Sequence, residues 1–516
     1  MSQLQEHSFI ARIFAFLQQY FVILPLNFID MQENLRILLR AVSPTLKYMG
    51  GITLQNPHSF SIAASKMYTI IGENGCGKTT LGNIIANGWN FTTNVIEGDK
   101  KNLAIESVEF SDIHALTGFS GAYYQQRFES MMNDDIPTVR ELIAEKIAPE
   151  VWQQMTEHLN VTDILDKRIN YLSSGELRKF LLINILTSRP DILIIDNPYI
   201  GLDADSRILF DALLRDVIAD GTSIIMLLCN PNEIPEFTDF VIPMQHLSIG
   251  KTVAVNSQNF RQVVQSTMQL FSCHRSINAL PEWQVPSEIS FDRAFELDHC
   301  NVMYGNNVIL RDVVWTVRRG EKWALLGENG SGKSTLLSLV CCDNPQGYCN
   351  DITIFDHRRG TGESIWDIKR HISYISPEMH LYFNGNKQVI EVVASGLHDM
   401  KGLYLRASAA QRDLAMRWME AFGIDHLANR RFSTLSSGEQ RLVLLARTLI
   451  RQSPLLILDE PLHGLDMAQK HWVKSVIEHI SASPQLTLIY VTHYTHEIPQ
   501  SVDRTFTLTK FRNSKR

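Results

Sequence analysis

The chain has 516 residues, of which 45% are hydrophobic and 20% charged, and its formal net charge is −7. This length predicts roughly two to four domains, and the apolar content is sufficient for two sizeable cores. A protein that binds nucleic acid usually carries a basic surplus, because phosphate neutralisation supplies most of the affinity, so we expect no nucleic-acid partner.

The N-terminal segment from Phe9 to Ile29 is rich in Phe, Leu and Ile. Arg12 interrupts it, and Pro25 would break a helix that spanned a membrane, so we predict no transmembrane segment. Two interpretations of residues 1–30 remain open. They form an amphipathic extension, or they precede a natural start at Met31.

The two halves of the chain carry the same motifs in the same order. An apolar strand, MYTII at 67–71 or KWALL at 322–326, leads into a Gly-rich loop and then into a helix predicted to start at Thr79 or Ser334. Later come LSSGE and an apolar run that ends in Asp, separated by 23 residues in both halves. Apolar runs that alternate with helical stretches predict buried parallel strands in an α/β sheet.

The repeat defines a domain organisation. We place the first unit at 31–250 and the second at 291–516, after the N-terminal segment 1–30. The linker at 251–290 between them holds few charges and contains Pro281 and Pro286.

Each Gly-rich loop, GENGCGKT or GENGSGKS, has the P-loop pattern. Its glycines let the backbone present successive N–H groups to phosphates at the positive end of a helix, and its lysine places a cation on the β- and γ-phosphates. Two copies, each after a strand and before a helix, predict two ATP sites. The predicted nucleotide-binding residues are Gly72, Glu73, Asn74, Gly75, Cys76, Gly77, Lys78, Thr79 and Thr80 in the first half, and Gly327, Glu328, Asn329, Gly330, Ser331, Gly332, Lys333, Ser334 and Thr335 in the second.

The carboxylates at the ends of the two apolar runs are candidate magnesium residues. Asp196 ends DILIID and Asp459 ends LLILD. A carboxylate there, with the hydroxyl of Thr79 or Ser334, supplies the oxygen ligands that Mg²⁺ prefers.

The LSSGE motif occurs between a P-loop and an Asp-terminated strand in both halves, and in this context it resembles the signature of ABC ATPases. The resemblance covers about residues 31 to 510. It implies an α/β fold of two tandem P-loop NTPase cassettes of the ABC type, each with a mainly parallel sheet core and a helical subdomain. In that family the signature of one cassette closes over the nucleotide held by the other. The resemblance therefore implies that Ser173, Ser174, Gly175 and Glu176 face the second P-loop, and that Ser436, Ser437, Gly438 and Glu439 face the first.

The two sites differ in their catalytic residues. Glu460 follows Asp459, at the position where the ABC family places its general base, and His493 matches the family's switch histidine. With Lys333 these residues predict a catalytic second site. In the first half Asn197 and Asn230 occupy the corresponding degenerate positions. An amide cannot accept a proton as a carboxylate can, so we expect the first site to bind MgATP and hydrolyse it poorly.

Two further positions follow from the resemblance. Members of the family have a magnesium-sensing glutamine between the P-loop and the signature. In the first half Gln125 fits this position, and Gln126 fits it less well. The second half has Ser376 and Pro377 there instead. Tyr304, upstream of the second P-loop, is suited to stacking on adenine.

The stretches 232–240 and 343–376 resemble twin-cassette ATP-binding proteins of the molybdate-transport type, also called photorepair proteins. This resemblance implies a cytoplasmic ATPase, and the cysteines, which lack zinc-type spacing, suit a reducing compartment. Two alternatives remain. A peripheral subunit would energise a membrane permease at the inner face of the plasma membrane. A ribosome-associated translation-type protein usually needs a long, highly charged linker, which 251–290 is not. Because one chain can form both composite sites, a monomer suffices.

Overall fold

The structure of the chain is a computed structural model in which the predicted extension at 1–30 lies outside the described part. The described residues are 35–48, 52–87, 96–98, 103–109, 137–144, 165–168, 180, 188–199, 204–257, 260, 281–285, 290–305, 307–328, 330–376, 387–398, 407–492 and 494–510.

The first half contributes strands β1 to β12 and helices α1 to α3 to the described residues. The strands are β1 (Ile37–Ala41), β2 (Thr45–Lys47), β3 (Thr53–Gln55), β4 (Phe60–Ala63), β5 (Met67–Ile71), β6 (Ile96–Gly98), β7 (Ile105–Glu109), β8 (Ile192–Asp196), β9 (Ser223–Leu228), β10 (Phe240–Gln245), β11 (Ser248–Ile249) and β12 (Val253–Ala254). The helices are α1 (Lys78–Asn87), α2 (Val139–Ala144) and α3 (Ala204–Ala219).

The second half contributes strands β13 to β21 and helices α4 to α9. The strands are β13 (Arg293–Tyr304), β14 (Asn307–Arg318), β15 (Lys322–Leu326), β16 (Asp351–Ile354), β17 (His357–Arg358), β18 (Ile372–Ile375), β19 (Leu455–Asp459), β20 (Thr487–Val491) and β21 (Arg504–Thr507). The helices are α4 (Lys333–Val340), α5 (Ile365–Lys369), α6 (Val389–Ala394), α7 (Ala409–Phe422), α8 (Ser437–Leu449) and α9 (Met467–Ser481). Short 3₁₀ helices occupy Pro231–Glu233, Pro345–Cys349, Ser395–Leu397, Asp425–Leu427, Phe432–Thr434 and Thr495–Glu497.

Both halves contain the same five-stranded parallel arrangement. The order is β7-β8-β9-β5-β10 in the first half and β18-β19-β20-β15-β21 in the second. Every neighbouring pair in these two series is parallel. The predicted α/β fold with two tandem, mainly parallel sheet cores is therefore confirmed. Antiparallel strands flank each core, in the orders β4-β1-β6 and β14-β13-β16-β17.

Each parallel sheet is buried on both faces. Along β19, Leu456 and Leu458 join one hydrophobic cluster, whereas Leu455 and Ile457 join the cluster on the opposite face. β8 divides its side chains between two clusters in the same way. Because successive side chains of a strand point to opposite faces, a strand covered on both sides needs a continuous apolar run, which is the pattern in the sequence.

Helices α6, α7 and α8 form the helical layer of the second half. Trp418 and Phe422, both on α7, are fully buried in the cluster that also covers one face of β19 and β20. Ser408 caps the N-terminus of α7 in a capping box with Gln411, and Gly423 ends the helix in a left-handed conformation. This layer supplies the helical subdomain predicted for this half.

The helices after the P-loops start one residue earlier than predicted. α1 starts at Lys78 and α4 at Lys333, rather than at Thr79 and Ser334. The reason is that the glycine before each lysine already has a left-handed conformation, so that the lysine is the first residue able to take helical angles.

Parts of the predicted linker pack on the two halves. β12, at Val253–Ala254, pairs with β10 of the first sheet, and Trp283 is buried against the helical layer of the second half. The boundaries at 250 and 290 remain predictions. Over the described ranges, the structure has no helix both long and apolar enough to span a bilayer.

Candidate active site

Both P-loops follow an interior strand of a parallel sheet, β5 or β15, and their glycines are required by close packing. Gly77 has φ 101°, and a Cβ there would lie 2.8 Å from Leu54 Cδ2. Gly332 has φ 97°, and a Cβ there would lie 2.8 Å from Leu310 Cδ2. Any larger residue would strain the backbone and displace the leucine side chain packed on the loop, so the sequence pattern corresponds to a steric need.

The P-loop lysines are buried and bonded to their own loops. Lys78 Nζ donates to the carbonyl oxygens of Gly72 at 2.8 Å and Glu73 at 2.7 Å. Lys333 Nζ makes the corresponding pair of bonds at 2.8 and 3.0 Å. Both ammonium groups are therefore held beside backbone N–H groups at a helix N-terminus, an arrangement that suits phosphate.

Two candidate magnesium residues of the first half, Thr79 and Asp196, are in contact. Thr79 Oγ1 donates to Asp196 Oδ2 at 2.5 Å, and Asn197 Nδ2 donates to Asp196 Oδ1 at 2.7 Å. Burial raises the pKa of Asp196, while the Thr79 hydrogen bond and the Lys78 charge act to lower it. A hydroxyl and a carboxylate side by side form an oxygen donor set that fits Mg²⁺. In the second half, Asp459 ends the equivalent strand and Ser334 follows Lys333.

Glu460 and Asn197 occupy equivalent backbone positions. Both follow the Asp that ends a central strand, and both have left-handed conformations, with φ 46° and 45°. The N–H of Glu460 donates to Val491 O at 3.0 Å, and that of Asn197 donates to Leu227 O at 2.9 Å. Because the backbones match, the two sites differ here in side-chain chemistry rather than in shape.

The side chains at these positions have different contacts. The Asn197 amide is bonded to Asp196, whereas Glu460 Oε2 lies 3.7 Å from His463 Nδ1. The Glu460 side chain is 18% exposed, so it is open to water. A carboxylate at this position can accept a proton from an attacking water, and an amide cannot.

Asn230 is used in local capping. Its side chain accepts from the N–H of Asn232 at 3.0 Å and donates to Glu233 Oε1 at 3.0 Å, at the start of a 3₁₀ helix. Asn230 follows β9 as His493 follows β20.

Tyr304 ends β13 and is partly buried against the core of the second half. Its hydroxyl accepts a hydrogen bond from Asn344 Nδ2 at 3.0 Å. This bond fixes the ring near β14, the strand that packs on Gly332. Stacking of Tyr304 on adenine remains a prediction.

Several predicted site residues fall outside the described residues. They are Gln125, Ser173, Ser174, Gly175, Glu176, Asn329, Pro377 and His493.

The first P-loop contacts the second half of the chain. The backbone N–H of Asn74 donates to Asp466 Oδ2 at 3.1 Å. The Asn74 side-chain amide donates to Gly464 O at 3.1 Å and to Gln469 Oε1 at 2.9 Å. The turn that follows Glu460 therefore lies against the first P-loop.

The second LSSGE motif lies against the same P-loop. Ser436 caps α8 and forms a capping box with Glu439, as the motif predicts. Gly438, in the first turn of α8, is so close to Asn74 that a Cβ at Gly438 would lie 2.2 Å from Asn74 Nδ2. The structure thus brings Ser436–Glu439 and the first P-loop together, the pairing that the family resemblance implies.

Sequence reasoning missed three residues at these sites. Asp466 and Gln469 had a local signal, since Asp followed three residues later by Gln before an apolar stretch is a helix-capping pattern. Arg441 had no local signal, because the LSSGE motif gives no reason to expect a buried cation on α8.

Comparison with known proteins shows the family of the chain. The family model described as ABC transporter matches residues 55–200 and 310–463. The chain is 33% identical over 477 residues to the ABC transporter ATP-binding protein ModF of Escherichia coli (strain K12), covering 90% of this chain and 95% of that protein. It is 28% identical over 465 residues to an uncharacterized ABC transporter ATP-binding protein of Schizosaccharomyces pombe, covering 86% and 93%.

A solved structure shares the fold. A model of ribosome-bound archaeal Pelota and ABCE1 matches with a TM-score of 0.53 at 18% identity, covering 89% of this chain and 74% of that chain. Two P-loops, two matched family regions and a relative aligned over nearly its full length lead to one conclusion: the chain belongs to the ABC transporter ATP-binding family, and it is a twin-cassette ATPase.

Proposed function

We propose that this ATPase binds two MgATP at composite head-to-tail sites and hydrolyses ATP mainly at the second P-loop. The observation that carries the proposal is the pair Glu460 and Asn197, which share a backbone conformation and differ in the ability to take a proton. The first site then holds ATP and the second turns it over.

Each residue of the second site has a distinct proposed role. Lys333 and the loop N–H groups bind the phosphates, Ser334 and Asp459 would hold Mg²⁺, and Glu460 orients the attacking water and takes its proton. When bound, magnesium would supply positive charge that neutralises the phosphates. His493 is proposed to contact the γ-phosphate, and Ser173 and Gly175 to complete this site from the other cassette.

The first site is proposed to be completed by Ser436 and Gly438. The contacts between Asn74 and the second cassette support this assignment, since the first P-loop already lies against the partner signature and the turn after Glu460. With Asn197 bonded to the candidate magnesium carboxylate, this site has the features of a holding site.

Nucleotide retention tests whether the first site holds ATP while the second site hydrolyses it. After incubation with labelled ATP and Mg²⁺ and rapid removal of free nucleotide, we expect the wild-type chain to retain unhydrolysed ATP while releasing ADP. Lys78→Ala should abolish the retained ATP, because it removes the buried ammonium of the first loop. Lys333→Ala should abolish ADP release and keep the retained ATP. ADP release that survives Lys333→Ala and disappears in Lys78→Ala would reverse the assignment.

We propose a cytoplasmic setting in the molybdate system, with a membrane permease as candidate partner, on the strength of the likeness to ModF. Sedimentation with membranes from cells that express the candidate permease tests this partner. We expect nucleotide-dependent recovery in the membrane fraction. Recovery in the cytosol in every nucleotide state would exclude a permease-docked subunit.

A further inference from the structure

We propose that Arg441 is a positioning residue, which makes the placement of Glu460 depend on the signature helix α8 and so on the first P-loop. This inference rests on the proposed function, because it concerns the same glutamate.

Arg441 connects three segments of the second cassette. Its Nη1 donates to Ser376 O at 2.8 Å, just after β18. Its Nη2 donates to Glu460 O at 2.8 Å and to Asp459 O at 3.3 Å, at the end of β19. One guanidinium on α8 therefore holds the backbone that carries the proposed base and the backbone at the position where the family expects a glutamine.

The guanidinium is a charged donor in a buried position. Arg441 is only 3% exposed. An arginine side chain stays protonated in proteins. Hydrogen bonds from a charged donor are about twice as strong as neutral ones, and a planar fork fixes their directions. Arg441 thus holds its carbonyl acceptors in a defined geometry.

Glu460 needs such support. Its φ of 46° is an unfavourable conformation for a residue with a Cβ, and surrounding contacts must maintain it. The Glu460 N–H donates to Val491 O, and Arg441 donates to the Glu460 carbonyl oxygen, so the peptide groups on both sides of its Cα are held. Loss of the second bond would let the carboxylate move away from the water it activates.

The same helix reaches the other site. Gly438, one turn before Arg441 on α8, packs on Asn74 of the first P-loop. Backbone hydrogen bonds between successive turns hold α8 together, so a displacement at Gly438 is transmitted to Arg441. The state of the first P-loop is in this way connected to the base of the second site through a single helix.

Steady-state ATPase kinetics of Arg441→Lys test the proposal. A lysine keeps the positive charge but cannot bond all three carbonyls in a planar fork. We expect kcat to fall by ~10²-fold, the usual effect of a small misplacement of a catalytic group. KM for ATP should stay close to the wild-type value, because the second P-loop is untouched. Arg441→Met should be at least as impaired in kcat.

Arg447→Lys is the matched control. Arg447 lies on the same helix, is partly buried, and its Nε donates to Ser395 Oγ at 3.1 Å. We expect this variant to keep the wild-type kcat, with melting temperatures recorded for all variants. If Arg441→Met does not fold, the kcat of Arg441→Lys alone tests the positioning role. Equal kcat in Arg441→Lys and Arg447→Lys would overturn the positioning role.

A double-variant cycle tests the link to the first P-loop. If Asn74 and Arg441 act through α8, then Asn74→Ala combined with Arg441→Lys should lose little more kcat than Arg441→Lys alone. Losses that multiply would contradict the link. Glu460→Gln, measured alongside, separates the two proposals. An inactive Glu460→Gln with a fully active Arg441→Lys refutes the inference alone, whereas a fully active Glu460→Gln refutes the proposed function.

Discussion

Glu460→Gln is expected to reduce steady-state ATP turnover ~10²–10⁴-fold, the range typical for loss of a general base. The amide keeps the size of the side chain but cannot take a proton from water. Because the Glu460 backbone is held by its own hydrogen bonds, the fold of the site should be unchanged. Nucleotide binding should therefore persist, and the variant should accumulate with ATP in both sites.

Asn197→Ala is the matched control, since Asn197 has the same backbone conformation in the first half. This substitution removes the hydrogen bond to Asp196 but does not remove a proton acceptor, so most ATP turnover should remain. Phosphate release measured under saturating ATP compares the two variants directly. Normal turnover in Glu460→Gln would show that hydrolysis does not depend on this residue.

Gly438→Ala is expected to lower turnover roughly 5- to 150-fold by obstructing the contact between the cassettes, if overpacking costs about 1–3 kcal/mol there. The added methyl carbon would lie 2.2 Å from Asn74 Nδ2 and 2.7 Å from Asn74 Cγ. Alanine is a better helix former than glycine, so α8 itself should not be weakened. The melting temperature should not fall, which separates obstruction from unfolding.

Asn74→Ala in the Gly438→Ala background provides the rescue experiment. It removes the two Asn74 atoms closest to the added methyl carbon and should restore part of the turnover lost by Gly438→Ala. Absence of any rescue, with both proteins folded, would mean that the two residues do not meet in the active state. ATPase rates of the two single variants and the double variant complete the comparison.

The sequence predicted the parts of each site that are local. The strands at 67–71 and 322–326 have the predicted bounds, and Asp196 and Asp459 end buried strands as expected. These features follow from runs of apolar residues and from glycines that the P-loop backbone requires. The repeat predicted the same order of strand, P-loop, helix and Asp-terminated strand in both halves, whereas the strand order within each sheet came from the structure.

Contacts between distant parts of the chain could not be predicted from local sequence patterns. Asn74 and Asp466 are separated by 392 positions, and Arg441 and Ser376 by 65. Residue types at such positions carry no local pattern, because the contacts arise from the packing of whole sheets and helices. The pairing of the second signature with the first P-loop was available only through the family resemblance, and the role of Arg441 was not available at all.

The sequence by itself determined the chemical difference between the sites, because the identity of a side chain decides whether it can accept a proton. Glu460 and Asn197 differ in this respect whatever fold surrounds them. Only the tertiary structure decided that their backbones are equivalent, that Gly438 packs on Asn74, and that Arg441 bonds the Glu460 carbonyl. These arrangements depend on burial and on hydrogen bonds between segments far apart in the chain, which local patterns cannot specify.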